Sequence, residues 1–343
     1  REAVSSGKKK WKTRECGKTE MKNDKKVFFL IEAVLGIMVV VLAFLMLQEK
    51  NGKDLAKVSI ILQNSEDNQW AGFKYGLKMA AEDHGIEMSV VTTEGAWNAA
   101  DEMDLIEAEI EHGADAVIVQ PAPGAETEKA LKKIQKKVPV MLVGSAASEE
   151  RDDSELPVTE PDHYAMGAAL AQELLNDYNG NISGKTIGIL SETKETEAAE
   201  NREQGFREKL EDSGAEISWS VSGSFGQDGD QSLSAMPKVD VIAALDDNSL
   251  TEAGKNGAAN DLHGALVYGI GHSTEAFYYL DVTAVECLVV PDEFNMGYQS
   301  LTQIAERLRN RFYRPEDQTI SYTVIRKETM FTKENQEILF TMS

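Results

Sequence analysis

From Val58 to Leu280 short apolar runs alternate with longer stretches whose apolar side chains recur at helical spacing. A run with no polar alternation is a strand covered on both faces, the pattern of a parallel sheet. Strands are expected at 58–62, 88–91, 116–119 and 138–143, with helices between them at 70–84, 99–112 and 126–136. Phe73, Leu77, Ala80 and Ala81 share one face of the first helix, and Gly85 ends it. A charged loop at 149–155, an extended segment at 156–159, a helix at 165–177 and an NGNISG turn follow. A second series then begins, with strands at 186–190, 216–221, 239–245 and 265–269. Its helices are expected at 197–213, 229–235, 250–256 and 274–280. Two such blocks imply an α/β protein of two Rossmann-like lobes, with a ligand cleft beyond the C-terminal ends of the strands.

Ahead of this lies VFFLIEAVLGIMVVVLAFLML, Val27 to Leu47, with Glu32 as its one charge. As a helix it spans roughly 30 Å, the hydrocarbon thickness of a bilayer. A secretory signal core is usually about 7–15 residues and ends in a small-residue cleavage site. This run is longer and no A-x-A follows it, so it reads as an uncleaved signal anchor. No cysteine stands just beyond it to accept a lipid. Ten Lys or Arg against four Asp or Glu precede Val27, and a basic flank stays cytoplasmic. The expected layout is a cytoplasmic basic segment at 1–26, a transmembrane anchor at 27–47 and a linker at 48–56. The globular part then lies outside the cytoplasm, on the extracellular or periplasmic face. Met21 opens MKNDKK directly before the run and reads as an alternative start, with residues 1–20 an upstream extension.

The part after Leu47 carries 25 basic and 53 acidic residues, a net of −28. That surface repels nucleic acid, and no basic patch tracks a phosphate backbone. Cys16 and Cys287 flank the anchor, so they are not expected to pair. There is no phosphate loop, no GxGxxG after the first strand, no GxSxG and no HExxH. The five histidines lack an i+4 partner or a nearby CxxC. No catalytic residue, metal or cofactor is expected, and an enzyme is the least favoured class.

Several spaced segments resemble the type 1 periplasmic solute-binding family, the ribose-binding-like proteins that share their fold with the ligand domain of the lactose repressor. WAGFKYGLKMAAEDHG resembles the family's opening helix, and ADAVIVQPAPG its third strand and loop. VPVMLVG is similar to the strand before the first crossover between lobes, and PDHYAMG to the D-N-x-x-x-G that enters the second lobe. NREQGF resembles R-x-x-G-F, ALDDNSL the N-D-x-x-A turn, and FNMGYQSLTQIAERL the late helix. MFTKEN is similar to the closing strand and tail. The resemblance covers about Lys57 to Leu339. It implies lobe 1 at 57–160 and 292–320, lobe 2 at 161–291 and 321–340, a hinge, and a cleft that clamps a small solute. With an apolar anchor in place of a helix-turn-helix, a repressor is disfavoured.

The family's polar set is incomplete here. Pro123 stands where the loop after the third strand usually has Asp, Gly271 replaces the Asp of G-F-D-G, and Pro291 replaces a Gln at the return crossover. This argues against a ribose or galactose held in the family's usual way. The ligand candidates are Asn68, Trp70, Trp97, Asp162, Arg202, Asp246, Asp247 and His272. Trp70 and Trp97 are stacking platforms or core wedges. Asp162, with His163 beside it, faces the crossover or caps a helix. Asp247 meets ligand or caps the next helix, and Arg202 faces the cleft or forms a surface ion pair. The acidic set suits a hydroxylated or cationic ligand better than a phosphorylated one. The expected role is capture of a sugar, polyol or similar small molecule for an ABC permease. The alternatives are a sensing module for a membrane sensor kinase and a degenerate binding protein with no transport role.

Overall fold

The computed structural model describes residues 28, 30–42, 55–65, 68–93, 98–146, 156–194, 196–223 and 232–340. The chain divides into two units, 1–55 and 56–343. In the first, residues 30–42 are helical (α1) with their apolar side chains exposed. Among the described residues no helix is long and apolar enough to cross a membrane. The expected anchor extends past that segment, since residues 27, 29 and 43–47 lie outside the described residues.

The second unit holds two six-stranded sheets. The first comprises β1 (Ala56–Gln63), β2 (Ile86–Thr93), β3 (Ala116–Val119), β4 (Val140–Val143), β5 (Val158–Pro161) and β11 (Gln318–Ile320). Their order is β11-β5-β4-β3-β1-β2, all parallel. The second comprises β6 (Thr186–Ser191), β7 (Glu216–Ser222), β8 (Val241–Ala244), β9 (Leu266–Ile270), β10 (Cys287–Pro291) and β12 (Tyr322–Ile325). Their order is β12-β10-β9-β8-β6-β7, parallel except for β12 against β10.

Each sheet is covered on both faces, and strand alternation assigns the side chains. In lobe 1, Val58, Ile60 and Leu62 of β1 pack with α2 (Ala71–His84) and α9 (Glu293–Arg309). Ile61 points the other way, to α3 (Ala99–Glu111) and α4 (Ala125–Ile134). In lobe 2, Val241 and Ala243 of β8 join α5 (His163–Asp177) and α6 (Glu197–Leu210). Ile242 and Ala244 face α7 (Asp247–Ala258) and α8 (Thr274–Asp281). Burying one Leu, Ile or Val stabilises the fold by about 1.5–3 kcal/mol, so these clusters supply the main cohesion of each lobe.

The two inner helix pairs meet through glycines. A Cβ on Gly76 would lie 2.0 Å from the Phe294 carbonyl oxygen, and one on Gly297 2.1 Å from that of Phe73. Lobe 2 repeats the device, with Gly167 against the Arg202 carbonyl at 2.0 Å and Gly205 against that of Tyr164 at 2.1 Å. These glycines are there to let two backbones approach.

The chain passes between the sheets three times, from β5 into α5, from β10 into α9, and from β11 through Ser321 into β12. The latter two crossings lie side by side, since the Asp292 amide donates to the Ser321 carbonyl at 3.0 Å. This corrects the expected closing strand at Met330–Asn335. Met330 lies in a turn with its side chain in the lobe-2 core, and Lys333–Phe340 is a helix (α10). The closing strands are β11 and β12, whose polar and half-buried residues (QTI, YTVI) carry no continuous apolar signature. The expected helix at 229–235 falls partly outside the described residues, and its described end is a single 3-10 turn, Leu233–Ala235.

Alanine in a helix normally gains up to about 1 kcal/mol over glycine. At Gly76 and Gly297 the added methyl must instead displace a carbonyl, and overpacking typically costs about 1–3 kcal/mol. Gly76→Ala and Gly297→Ala should therefore each lower the urea midpoint, through a net loss of up to about 2 kcal/mol of unfolding free energy. Unchanged midpoints would show that the helices separate freely.

Candidate functional site

The three crossings bring the C-terminal ends of both sheets to one place. A cavity of about 80 Å³ lies there, lined from lobe 1 by Gln69, Gly144, Glu293 and Met296, and from lobe 2 by His163, Arg202, Asp246, Asp247 and His272. Pro161 and Pro291, the last residues of two crossing strands, complete the wall. A cavity that binds benzene measures about 150 Å³, so this space is too small for a sugar ring. A larger hollow of about 430 Å³ opens against α7 and α8, lined by lobe-2 residues alone. It draws nothing from lobe 1 and so cannot report lobe closure.

Two imidazoles span the gap. His163, the first residue of α5, places Nε2 2.7 Å from the Gly144 carbonyl at the end of β4. Arg202 Nε donates to His163 Nδ1 at 3.1 Å. A guanidinium only donates, so Nδ1 is the acceptor and the proton sits on Nε2, where it bonds the carbonyl. Burial holds His163 well below the usual imidazole range, and the Arg202 charge pushes the same way against the Gly144 bond. The second bridge runs from His272 Nε2 to the Gln69 carbonyl at 2.5 Å. The lobes are thus hydrogen-bonded to each other twice, each time through a ring nitrogen of lobe 2 and a main-chain carbonyl of lobe 1.

The charged groups behind them are unequally satisfied. Arg202 Nη1 donates to the Leu245 carbonyl at 2.9 Å. Asp246 caps α7 through the Ser249 amide at 2.9 Å and accepts the Glu192 amide at 2.6 Å. Asp247 Oδ1 accepts the amides of His272 at 2.6 Å and Ser273 at 2.8 Å. Glu293, the first residue of α9, is only 8% exposed, and its Oε2 has no hydrogen-bond partner. Its Oε1 lies 3.8 Å from His272 Nε2, an ion-pair distance only if the ring is charged. Burial pushes the Asp246 and Glu293 carboxyls above the ordinary range, opposed in both cases by Arg202.

Two lobes of covered parallel sheet, three crossings and an interlobe polar cavity are the geometry of a binding cleft. Residues 58–311 match the model of the periplasmic binding protein domain. The chain belongs to this family. No curated protein matches it by sequence. Among solved structures it is similar to a carbohydrate transporter solute-binding protein from Agrobacterium radiobacter in complex with D-arabinose. The TM-score is 0.72 at 16% identity, over 84% of this chain and 99% of that chain. GanP, a glucose-galactose binding protein from Geobacillus stearothermophilus, gives 0.68 at 17% identity, over 82% and 100%. The XylFII–LytSN complex gives 0.66 at 15%, over 80% and 98%. At these identities the likeness is one of fold.

As a periplasmic binding protein domain, the chain brings four of the eight sequence candidates to the cavity: Arg202, Asp246, Asp247 and His272. Two others stand apart. Trp70 is a core wedge, 7% exposed, edge-on to Phe73 at 5.6 Å, with Nε1 donating to the Gln63 carbonyl. Asp162 is exposed and caps α5 through the Ala165 amide at 2.8 Å. Asn68 opens the 3-10 turn Asn68–Trp70, and Trp97 lies outside the described residues. Asp247 is not the cap of its own helix, a role Asp246 takes; it pins the turn between β9 and α8.

That pin explains one departure from the family pattern. A Cβ on Gly271 would meet Asp247 Oδ1 at 2.7 Å and a Leu250 methyl at 2.6 Å, so the family's Asp has no room there. Sequence reasoning overlooked Glu293. The acid in PDEFNMG, two residues past the strand-ending proline, was its available signal, but a carboxylate in a first helical turn has an ordinary dipole reading.

His163 yields a pH prediction. Its native pKa lies below the ordinary 6.5, so below that value the unfolded chain binds a proton that the native chain refuses. The stability it contributes is complete above about pH 6.5 and falls as pH drops toward the native value, by at most about 1.4 kcal/mol per pH unit. The raised carboxyls of Asp246 and Glu293 act in the opposite sense, but they are common to wild type and His163→Asn. Urea unfolding from pH 7.5 to 5.5 should show the wild-type advantage over that variant shrinking as pH falls. Parallel curves would remove His163 from the titration.

Proposed function

We propose that this chain is a membrane-tethered solute-binding protein outside the cytoplasm. It captures a small hydroxylated solute, a sugar, a polyol or a similar compound, between its lobes and delivers it to an ABC-type permease. The single observation that carries the reading is the polar cavity at the strand ends, lined from both lobes and bounded by two of the three crossings. Such a site couples binding to closure, because a ligand touching both walls favours the state in which the walls meet. Admitting a ring requires the two histidine bridges to part, since the present space is about 80 Å³. Similarity to proteins seen with D-arabinose or called glucose-galactose binding supports a sugar-like ligand. The tether rests on the apolar run at 27–47 and its basic flank.

A second reading is a ligand-sensing module that engages a membrane sensor kinase. The observation favouring it is the similarity to XylFII in a complex with another protein, LytSN. Isolation of the intact chain with its membrane partner separates the two, a permease supporting import and a kinase supporting sensing.

A thermal-shift screen of the full chain over sugars, polyols, nucleosides and amines tests capture directly. A solute at one hundred times its Kd adds about 2.7 kcal/mol of stability and raises Tm. A flat response across all four classes would leave only a degenerate family member. For the tether, carbonate washing of membranes should retain the intact chain and release a variant lacking 27–47. Release of both would disprove the anchor.

A further inference from the structure

The charge around the cleft is not balanced. Three carboxylates, Asp246, Asp247 and Glu293, face one guanidinium, Arg202. Both aspartates are engaged by main-chain amides. Arg202 donates to two neutral acceptors, His163 and the Leu245 carbonyl. Glu293 is left more than nine-tenths buried, with Oε2 unpartnered in the wall of an interlobe cavity. A buried carboxylate oxygen without a donor is destabilising by more than a neutral group would be, so its place in a ligand cleft asks for a ligand-borne donor.

We propose, building on the solute-binding reading above, that the cleft takes a small amine-bearing solute, an amino sugar or amino alcohol, whose ammonium group sits against Glu293 Oε2. A neutral polyol can donate a hydroxyl there but leaves the charge uncompensated. A phosphorylated or carboxylated solute adds a further negative charge. An ammonium supplies both the proton donor and the counter-charge. Glu293 belongs to lobe 1 and Asp246 and Asp247 to lobe 2, so a cation between these carboxylates contacts both walls.

Titration calorimetry on the full chain in mild detergent, with pairs matched in shape and differing in charge, tests this. The pairs are D-glucosamine against D-glucose and ethanolamine against ethylene glycol, with glucose 6-phosphate as the anionic control. The amine member of at least one pair should bind tenfold or more tightly than its neutral partner, and the phosphate should not bind. Glu293→Gln removes a buried charge and keeps the shape, so the variant should fold with an equal or higher Tm and lose that preference at least tenfold. Equal or tighter binding of the neutral members overturns the inference and leaves the solute-binding reading intact. A preference that survives in the variant also overturns it. Silence of every probe, together with a flat thermal-shift screen, overturns both.

Discussion

The relay from Arg202 through His163 to the Gly144 carbonyl is the constraint on which the closed arrangement rests. It joins α6, the start of α5 and the end of β4 in one line. Because a guanidinium cannot accept, the imidazole has one admissible tautomer and its outer nitrogen can only reach forward across the gap. A protonated ring would lose the Arg202 bond and set two positive charges against each other. The second imidazole, His272, reaches the other way across the cleft to the loop after β1. Both acceptors are main-chain carbonyls, whose positions follow from the sheet and do not depend on a rotamer.

Around these bridges the site is organised by replacing side-chain contacts with main-chain ones. Asp247 holds two amides of the turn after β9, and in doing so fills the space that a family aspartate would use. Asp246 joins the cap of α7 to the loop after β6. The proline at the end of each long crossing strand offers no amide to the cleft. Glu293 keeps a buried carboxylate oxygen, Oε2, that no protein group satisfies among the described residues.

Much of this was legible in the chain. The uniformly apolar strands announce a doubly covered parallel sheet, and glycines at 76, 167, 205 and 297 fall in segments that resemble family helices. What could not be read has a physical cause in each case. Trp70 beside a cleft loop looks identical to a stacking platform until its indole nitrogen is seen bonding Gln63. The expected cap falls to Asp246 and not Asp247, because α7 starts at Asp247, three residues before the expected helix. Strands β11 (QTI) and β12 (YTVI) carry polar residues and are mostly half-buried, so the continuous apolar signal that reveals the equally short β3, β4 and β8 is missing there. Glu293 was hidden by its ordinary position in a first helical turn.

The glycine-to-carbonyl crossing of α2 with α9 joins residues near 76 to residues near 297. The corresponding crossing in lobe 2 joins 167 to 205. During synthesis the second can close as soon as its hairpin-like stretch has emerged, whereas the first must wait for a segment more than two hundred residues further on. Lobe 1 therefore opens the globular part yet leaves α2 without its partner helix until the return crossing arrives, and lobe 2 in turn waits for β12.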